Sequence, residues 1–222
     1  MNKDIIIFDI NETILNLESL HKIFVDIFDN NLMLSQWFSK LLHTSAVCAI
    51  TKVETNFFTL ASITLDNMFD DNQLELSKFD KKEFLNEFTR LQPYSDVIPA
   101  LKYLKENGFK LIALSNSSSK LINEQLNNSG VISFFDEIIS AEEVTTFKPD
   151  PQVYKYAAKR LGVSLNRLRL VATHDWDTHG ALSVGMKAAY LSRNDKKYTS
   201  VFKKVDIKGS DMMEIAYKIV QS

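Results

Sequence analysis

Ile5-Ile6-Ile7-Phe8-Asp9-Ile10-Asn11-Glu12-Thr13 decides how the rest of the chain is read. Four consecutive apolar residues end abruptly in polar ones, the pattern of a strand buried on both faces. The pattern recurs only after Pro93: Lys110 to Leu114 stops at Ser115-Asn116, Glu137 to Ser140 near Ala141, Leu168 to Ala172 at Thr173-His174, and Lys187 to Leu191 at Ser192. The segments between these runs are punctuated as helices. Pro99 lies near the start of one and Gly108 after its end, while Pro151 opens another that Gly162 closes. This alternation predicts an α/β fold with a doubly wound parallel sheet covered by helices on both faces.

The first strand is separated from the others by a long stretch of different texture. The first Pro is Pro93 and the first Gly is Gly108, so 92 residues pass without either strong breaker of regular structure. Apolar residues recur there at helical spacing, as in Leu17, Leu20, Ile23, Phe24, Ile27 and Phe28, and again in Phe57, Phe58, Leu60, Ala61, Leu65 and Phe69. The expected organisation is one core made of residues 1–15 and 93–222, interrupted by a helical bundle over residues 16–92. An insertion directly after the first strand sits over the carboxyl ends of the strands, where open α/β sheets bind ligands.

Composition narrows the class. The 222 residues are 45% hydrophobic and 24% charged, which suits a sizeable folded core and excludes a disordered or low-complexity chain. Lys plus Arg number 26 against 28 Asp plus Glu, a net charge of −2 that leaves no electrostatic footprint for a nucleic acid. The single cysteine, Cys48, excludes an internal disulfide. Only four apolar residues precede Asp9, too few for a signal-peptide core, and no apolar run approaches the ~18 residues of a membrane span. A cytoplasmic protein without membrane or nucleic-acid partners is expected. His21, His43 and His179 show no ligand spacing with one another or with Cys48, so no zinc site is expected. Lys196-Lys197 and Lys203-Lys204 read as a solvated face.

Polar residues gather at the strand ends: Asp9, Asn11 and Thr13, then Ser115 and Asn116, then Lys148, and finally Thr173, His174, Asp175 and Asp177. Each alone has a bland explanation, since an Asp after a strand caps a turn and Ser115-Asn116 fits a helix N-cap. Together they supply what covalent carboxylate catalysis needs. Asp9 attacks, Lys148 holds its charge, Ser115 orients the substrate or the nucleophile, and Asp177 fixes Lys148.

The order and spacing of these motifs resemble the haloacid dehalogenase (HAD) superfamily. The carriers are Asp9 and Thr13 in an Asp-x-x-x-Thr motif, Ser115-Asn116 at a strand end, Lys148-Pro149, and the acidic Asp177 after the Leu168 to Ala172 strand. Within it the chain is most similar to the type II 2-haloacid dehalogenases, through Arg90-Leu-Gln-Pro93, Leu114-Ser-Asn116, Phe147-Lys-Pro-Asp-x-x-Val-Tyr154 and Val171-Ala-Thr-His-Asp-Trp-Asp177 followed by Gly180-Ala181. The resemblance implies a Rossmann-like core with a helical cap. It also implies a metal-independent hydrolase without a cofactor, acting on a short (S)-2-halocarboxylic acid through an ester on Asp9. Ser115 and Asn116 would hold the substrate carboxylate, and Tyr154 matches a family tyrosine near the lysine. A homodimer would follow relatives.

Two alternatives stay open. A Mg²⁺-dependent phosphatase of the same superfamily normally has an Asp where this chain has Asn11, and an amide cannot donate and recover a proton. Ala172 stands where such enzymes place a metal-binding Asp, with Asp175 as the conceivable substitute. A binding protein without turnover is the other, although it has no evident use for a nucleophile, its lysine and the lysine's acidic partner. The chain also departs from the dehalogenases. They usually have an aromatic residue at the Asn11 position, and their halide-receiving cap arginine aligns with Phe38 in Ser35-Gln-Trp-Phe-Ser-Lys40. Trp37, Phe38 and Asn11 are then the residues left to cradle a halide, with core packing the other reading of Trp37 and Phe38. His174 stands where the family often has an amide, and is either a base for the hydrolytic water or a hydrogen-bonded support.

Overall fold

The computed structural model describes residues 3–75, 81–193 and 197–222. In chain order, β1 (Ile5–Phe8) and β2 (Leu15–Asn16) lead into four helices, α1 (Glu18–Phe28), α2 (Met33–Thr51), α3 (Phe57–Asp71) and α4 (Lys81–Phe88). The chain returns through β3 (Gln92–Pro93), α5 (Val97–Glu106), β4 (Lys110–Ser115), α6 (Ser119–Asn128), β5 (Glu137–Ser140) and α7 (Pro151–Arg160). It ends with β6 (Leu168–Ala172), α8 (Asp175–Ser183), β7 (Lys187–Leu191), β8 (Ile207–Gly209) and α9 (Met212–Val220).

Six strands form one parallel sheet in the order β5-β4-β1-β6-β7-β8. Winding reverses on either side of β1, so the crevice outside its carboxyl end is the ligand-binding position of a doubly wound sheet. Successive residues of β1 feed opposite cores. Ile6 and Phe8 pack beneath α5, α6 and α9, whereas Ile7 packs beneath α7 and α8. All three are fully buried, which is why the strand reads as an unbroken apolar run. Phe8 is level with Ala113 and with Val171, so the residues that follow leave the sheet together.

The four helices after β2 form the expected insertion. Its centre is aromatic: Trp37 lies 5.6 Å from Phe24, 5.2 Å from Phe84 and 6.0 Å from Phe88, edge-on to the last two. Such pairs add about 1 kcal/mol each beyond the area they bury. Without glycine, α1 and α2 end on left-handed Asp29 (φ 47°) and Lys52 (φ 59°), a cost of about 1 kcal/mol apiece that the packing outweighs. Asn56 caps α3 by accepting from the Thr59 amide. Phe58, expected on the apolar face of α3, points outward and is 44% exposed.

Two short elements escape the sequence reading. β2 and β3 pair antiparallel, Leu15 with Pro93 and Asn16 with Gln92, and tie the two crossings between helices and sheet. The edge strand β8 is only three residues long and carries Lys208 between buried neighbours. No helix among the described residues is long and apolar enough to cross a membrane. Lys197, Lys203 and Lys204 are exposed, and Lys196 lies outside the described residues.

Candidate active site

Past β1 the chain turns back on itself, with Ile14 and Leu15 both donating to the Ile10 carbonyl and Glu12 left-handed at φ 62°. The turn returns Thr13 to Asp9. Its Oγ1 donates to Asp9 Oδ2 (2.8 Å) and accepts from the Thr173 amide (3.0 Å), stitching the ends of β1 and β6 together. Lys148, on the loop before α7, is 1% exposed and spends its ammonium on Asp9 Oδ1 (2.7 Å), Asp177 Oδ2 (2.6 Å) and the Leu114 carbonyl (3.1 Å). Its own amide donates to Asn116 Oδ1 at 2.7 Å. Asp177, in the first turn of α8, accepts from the Tyr154 hydroxyl at 2.6 Å.

One cation between two buried carboxylates sets them apart. Burial raises the Asp9 carboxyl, but the Lys148 charge, followed by His174 and by hydrogen bonds from Lys148 and Thr13, holds it below the usual carboxylate range. At Asp177 burial, joined by the Asp9 charge, outweighs Lys148 and pushes the carboxyl up. Burial favours a neutral Lys148, and the charges of Asp177 and then Asp9 overcome it and raise the ammonium. The two carboxyls are thus pushed in opposite directions, Asp9 toward its anion and Asp177 toward its acid. Burial, with Asp177 adding to it, raises the Tyr154 phenol well above its ordinary value, so it remains a donor.

Asp9 lines a small cavity under the helices of the insertion, of about 10 Å³, the space of a single water. Ser115, Asn116, Asn11, Phe38, Lys148 and His174 line it too, bringing together most of the residues singled out from sequence. Ser115 Oγ accepts from the Ser117 amide, so its hydroxyl proton is directed elsewhere. Ser118, rather than Ser115 or Asn116, caps α6. Asn11 donates to Ser117 Oγ and accepts from Gln125, each at 3.2 Å, which anchors it to α6. The His174 Nε2 atom is 3.8 Å from Asp9 Oδ2 and 3.6 Å from Glu12 Oε2, and the ring stacks on Trp176.

Two expected substrate contacts are not there. Trp37 is fully buried in the aromatic centre of the insertion, with Nε1 donating to the Ala61 carbonyl, because its side chain lies on the face of α2 turned away from the sheet. Tyr154 is fully buried behind Asp177 and supports that carboxylate instead of facing the cavity. Conversely, Leu42, Phe57, Trp176 and the neighbouring Glu12 went unnoticed. Glu12 and Trp176 sit inside the motifs, next to Asn11 and to Asp177, so their position is a signal; Leu42 and Phe57 look like any core residue.

A sequence profile of the haloacid dehalogenase-like hydrolases matches residues 3–168. The chain belongs to this family. It is 32% identical over 133 residues to (S)-2-haloacid dehalogenase 2 of Pseudomonas sp. (strain CBS-3), covering 60% of this chain and 58% of that protein. It is 33% identical over 107 residues to haloacetate dehalogenase H-2 of Moraxella sp. (strain B), covering 48% of each. The chain thus spans about half the length of these relatives. Its fold is shared with the L-2-haloacid dehalogenase of Xanthobacter autotrophicus solved with chloropropionic acid covalently bound, at a TM-score of 0.89, 19% identity and 98% coverage of both chains.

Among the described residues, the strand ends do not present the carboxylates that a divalent-metal site needs. Ala172 is buried and has no ligand atom, Asn11 is engaged with α6, and Asp175 accepts from the amide and hydroxyl of Thr199. No cluster of three or more His, Cys, Asp or Glu among the described residues is placed to hold a metal.

Proposed function

We propose that this haloacid dehalogenase-like hydrolase removes halide from short (S)-2-halocarboxylic acids through an ester on Asp9. The observation that carries the reading is the ammonium of Lys148 shared between Asp9 and Asp177 beside a small cavity. An Asp9 oxygen attacks carbon 2, the carbon–halogen electron pair leaves with the halide, and the configuration inverts. Ser115 Oγ–H and the Asn116 amide N–H groups hold the substrate carboxylate, the Asn116 oxygen being already taken by the Lys148 amide. Phe38 and Trp176 ring edges border the space for the departing halide, with no cap arginine at the Phe38 position. His174, held between Asp9 and Glu12, then takes a proton from water as the resulting hydroxide adds to the acyl carbon of the ester. The acyl–oxygen bond breaks, the 2-hydroxy acid leaves with the proton from His174, and Asp9 returns to a carboxylate when its new carboxyl proton passes to solvent.

In this reading residues 1–15 and 93–222 form the catalytic core and residues 16–92 the cap that closes it. The test is halide release from (S)-2-chloropropionate and (S)-2-bromopropionate in EDTA, beside Asp9→Asn. Release by the native protein and none by Asp9→Asn is expected; equal release by both removes the covalent mechanism.

A further inference from the structure

Glu12 is held against His174 by a turn that carries a backbone penalty. Five non-glycine residues among the described residues have positive φ, and Asp29, Lys52, Gln73 and Thr145 all lie where a helix ends. Glu12, at φ 62°, ends no helix and stands three residues after Asp9, in a conformation that glycine holds without strain. Its amide donates to the Leu15 carbonyl (2.8 Å), and Leu15 pairs with Pro93, so the turn is fixed by both crossings between sheet and insertion. The carboxylate reaches 3.6 Å from His174 Nε2, the atom that also faces Asp9 Oδ2 at 3.8 Å. It does so from outside the cavity over Asp9, bordering instead a polar cavity of about 350 Å³ on the far side of Phe38. The His174 ring has little freedom, since its centroid lies 5.2 Å from that of Trp176 and 6.3 Å from that of Phe38.

We propose that Glu12 is a positioning residue for the second half of the reaction, its carboxylate holding the His174 imidazolium that forms as water attacks the ester. The proposal rests on the dehalogenase reading and adds to it a residue that acts through His174 without touching the substrate. In the resting protein two carboxylates face Nε2. Once Asp9 is esterified its charge is gone, and Glu12 is the one carboxylate left within 4 Å of Nε2 among the described residues. Two fields then oppose a cation on the ring: the Lys148 ammonium, left with Asp177 as its carboxylate partner, and the amino terminus of α8, where His174 is the N-cap residue. Nε2 takes a proton from water, the hydroxide adds to the acyl carbon, and the imidazolium returns the proton to the departing alkoxide oxygen. Glu12 lowers the energy of the charged stage and itself neither gains nor loses a proton. The alkylation step forms no imidazolium, so Glu12 bears on one half of the reaction only.

The experiment follows halide release from (S)-2-bromopropionate, and the mass of the intact chain, in the native protein, Glu12→Gln, Glu12→Gly, His174→Gln and the double variant Glu12→Gln with His174→Gln. Glu12→Gln should keep single-turnover halide release within about threefold, lose about 10- to 100-fold in steady-state turnover and accumulate the ester on Asp9. Glu12→Gly should show the same split with a urea midpoint no lower than the native one, since glycine relieves the strained turn. Adding Glu12→Gln to His174→Gln should cost less than about twofold more, because Glu12 acts through the imidazole. Normal turnover in Glu12→Gln and Glu12→Gly overturns the role of Glu12 and leaves the dehalogenase reading standing. So does an equal loss in single-turnover and steady-state rates, full turnover in His174→Gln, or a double variant whose loss is the product of the two single losses. Absence of Asp9-dependent halide from the native protein overturns the dehalogenase reading and the role of Glu12 with it.

Discussion

Lys148 balances two carboxylates that burial alone would protonate. In the native protein Asp9 is held below its ordinary 3.8, so the alkylation step needs no deprotonation above that value and should be flat from mildly acidic pH upward. Lys148→Met removes the main counterweight to burial, leaving only His174 and the Thr13 hydrogen bond, and so raises Asp9. The acid limb of single-turnover halide release should move to higher pH, and the rate at neutral pH should fall by roughly 10²–10³. An unchanged limb would show that Lys148 does not set the charge of Asp9. The same variant leaves two buried carboxylates without their cation and should lose about 3–5 kcal/mol of stability by urea titration. In the proposed mechanism His174 acts on the second half of the reaction. With His174→Gln, halide should appear as a single burst and the protein should gain the mass of the carboxyalkyl group esterified to Asp9, detectable by mass spectrometry of the intact chain. Full turnover with no adduct would assign His174 a supporting role. Asp9, Lys148 and His174 are readable because each stands in a motif of fixed order, after β1, in the loop before α7 and at the start of α8. Glu12 was not, because its 3.6 Å approach to His174 depends on the left-handed turn that returns it toward β6.

Among the elements, α7 and α8 hold the lysine in place. Gly180, on α8, lets them approach: a Cβ there would lie 2.6 Å from the Tyr154 hydroxyl and 2.8 Å from Pro149 Cβ. Gly180→Ala must therefore displace Tyr154 from Asp177. The expected result is a rate loss of about tenfold with a destabilisation of about 1–3 kcal/mol from overcrowding. Tyr154→Phe removes the hydroxyl without crowding and should reproduce the rate loss with a smaller change in melting temperature. A normal rate in Tyr154→Phe would mean that Asp177 needs no support from that hydroxyl. The family resemblance makes Tyr154 a candidate substrate contact, with packing beside Ala157, Ala158 and Leu161 the other reading, but a motif does not say which side of the lysine a helical side chain reaches. The structure places it behind Asp177.

Across the whole molecule, the insertion and the sheet share one continuous apolar cluster running from α9 to Trp37. Trp37 belongs to that cluster and not to the cavity. Trp37→Ala should lower the urea midpoint by an amount corresponding to about 3–5 kcal/mol. The milder Trp37→Phe should leave KM for a 2-haloacid unchanged, and a raised KM would return Trp37 to the site. The chain sequence by itself determined the parallel sheet, the helical insertion and the Asp9, Lys148 and Asp177 constellation, because apolar periodicity and strand-end residues are local properties of the chain. Only the tertiary structure decided that Trp37 and Tyr154 face away from the cavity over Asp9 and that Glu12 stands beside His174. Each of these depends on how helices distant in sequence are rotated against the sheet, and that rotation is set by side-chain packing across the whole molecule.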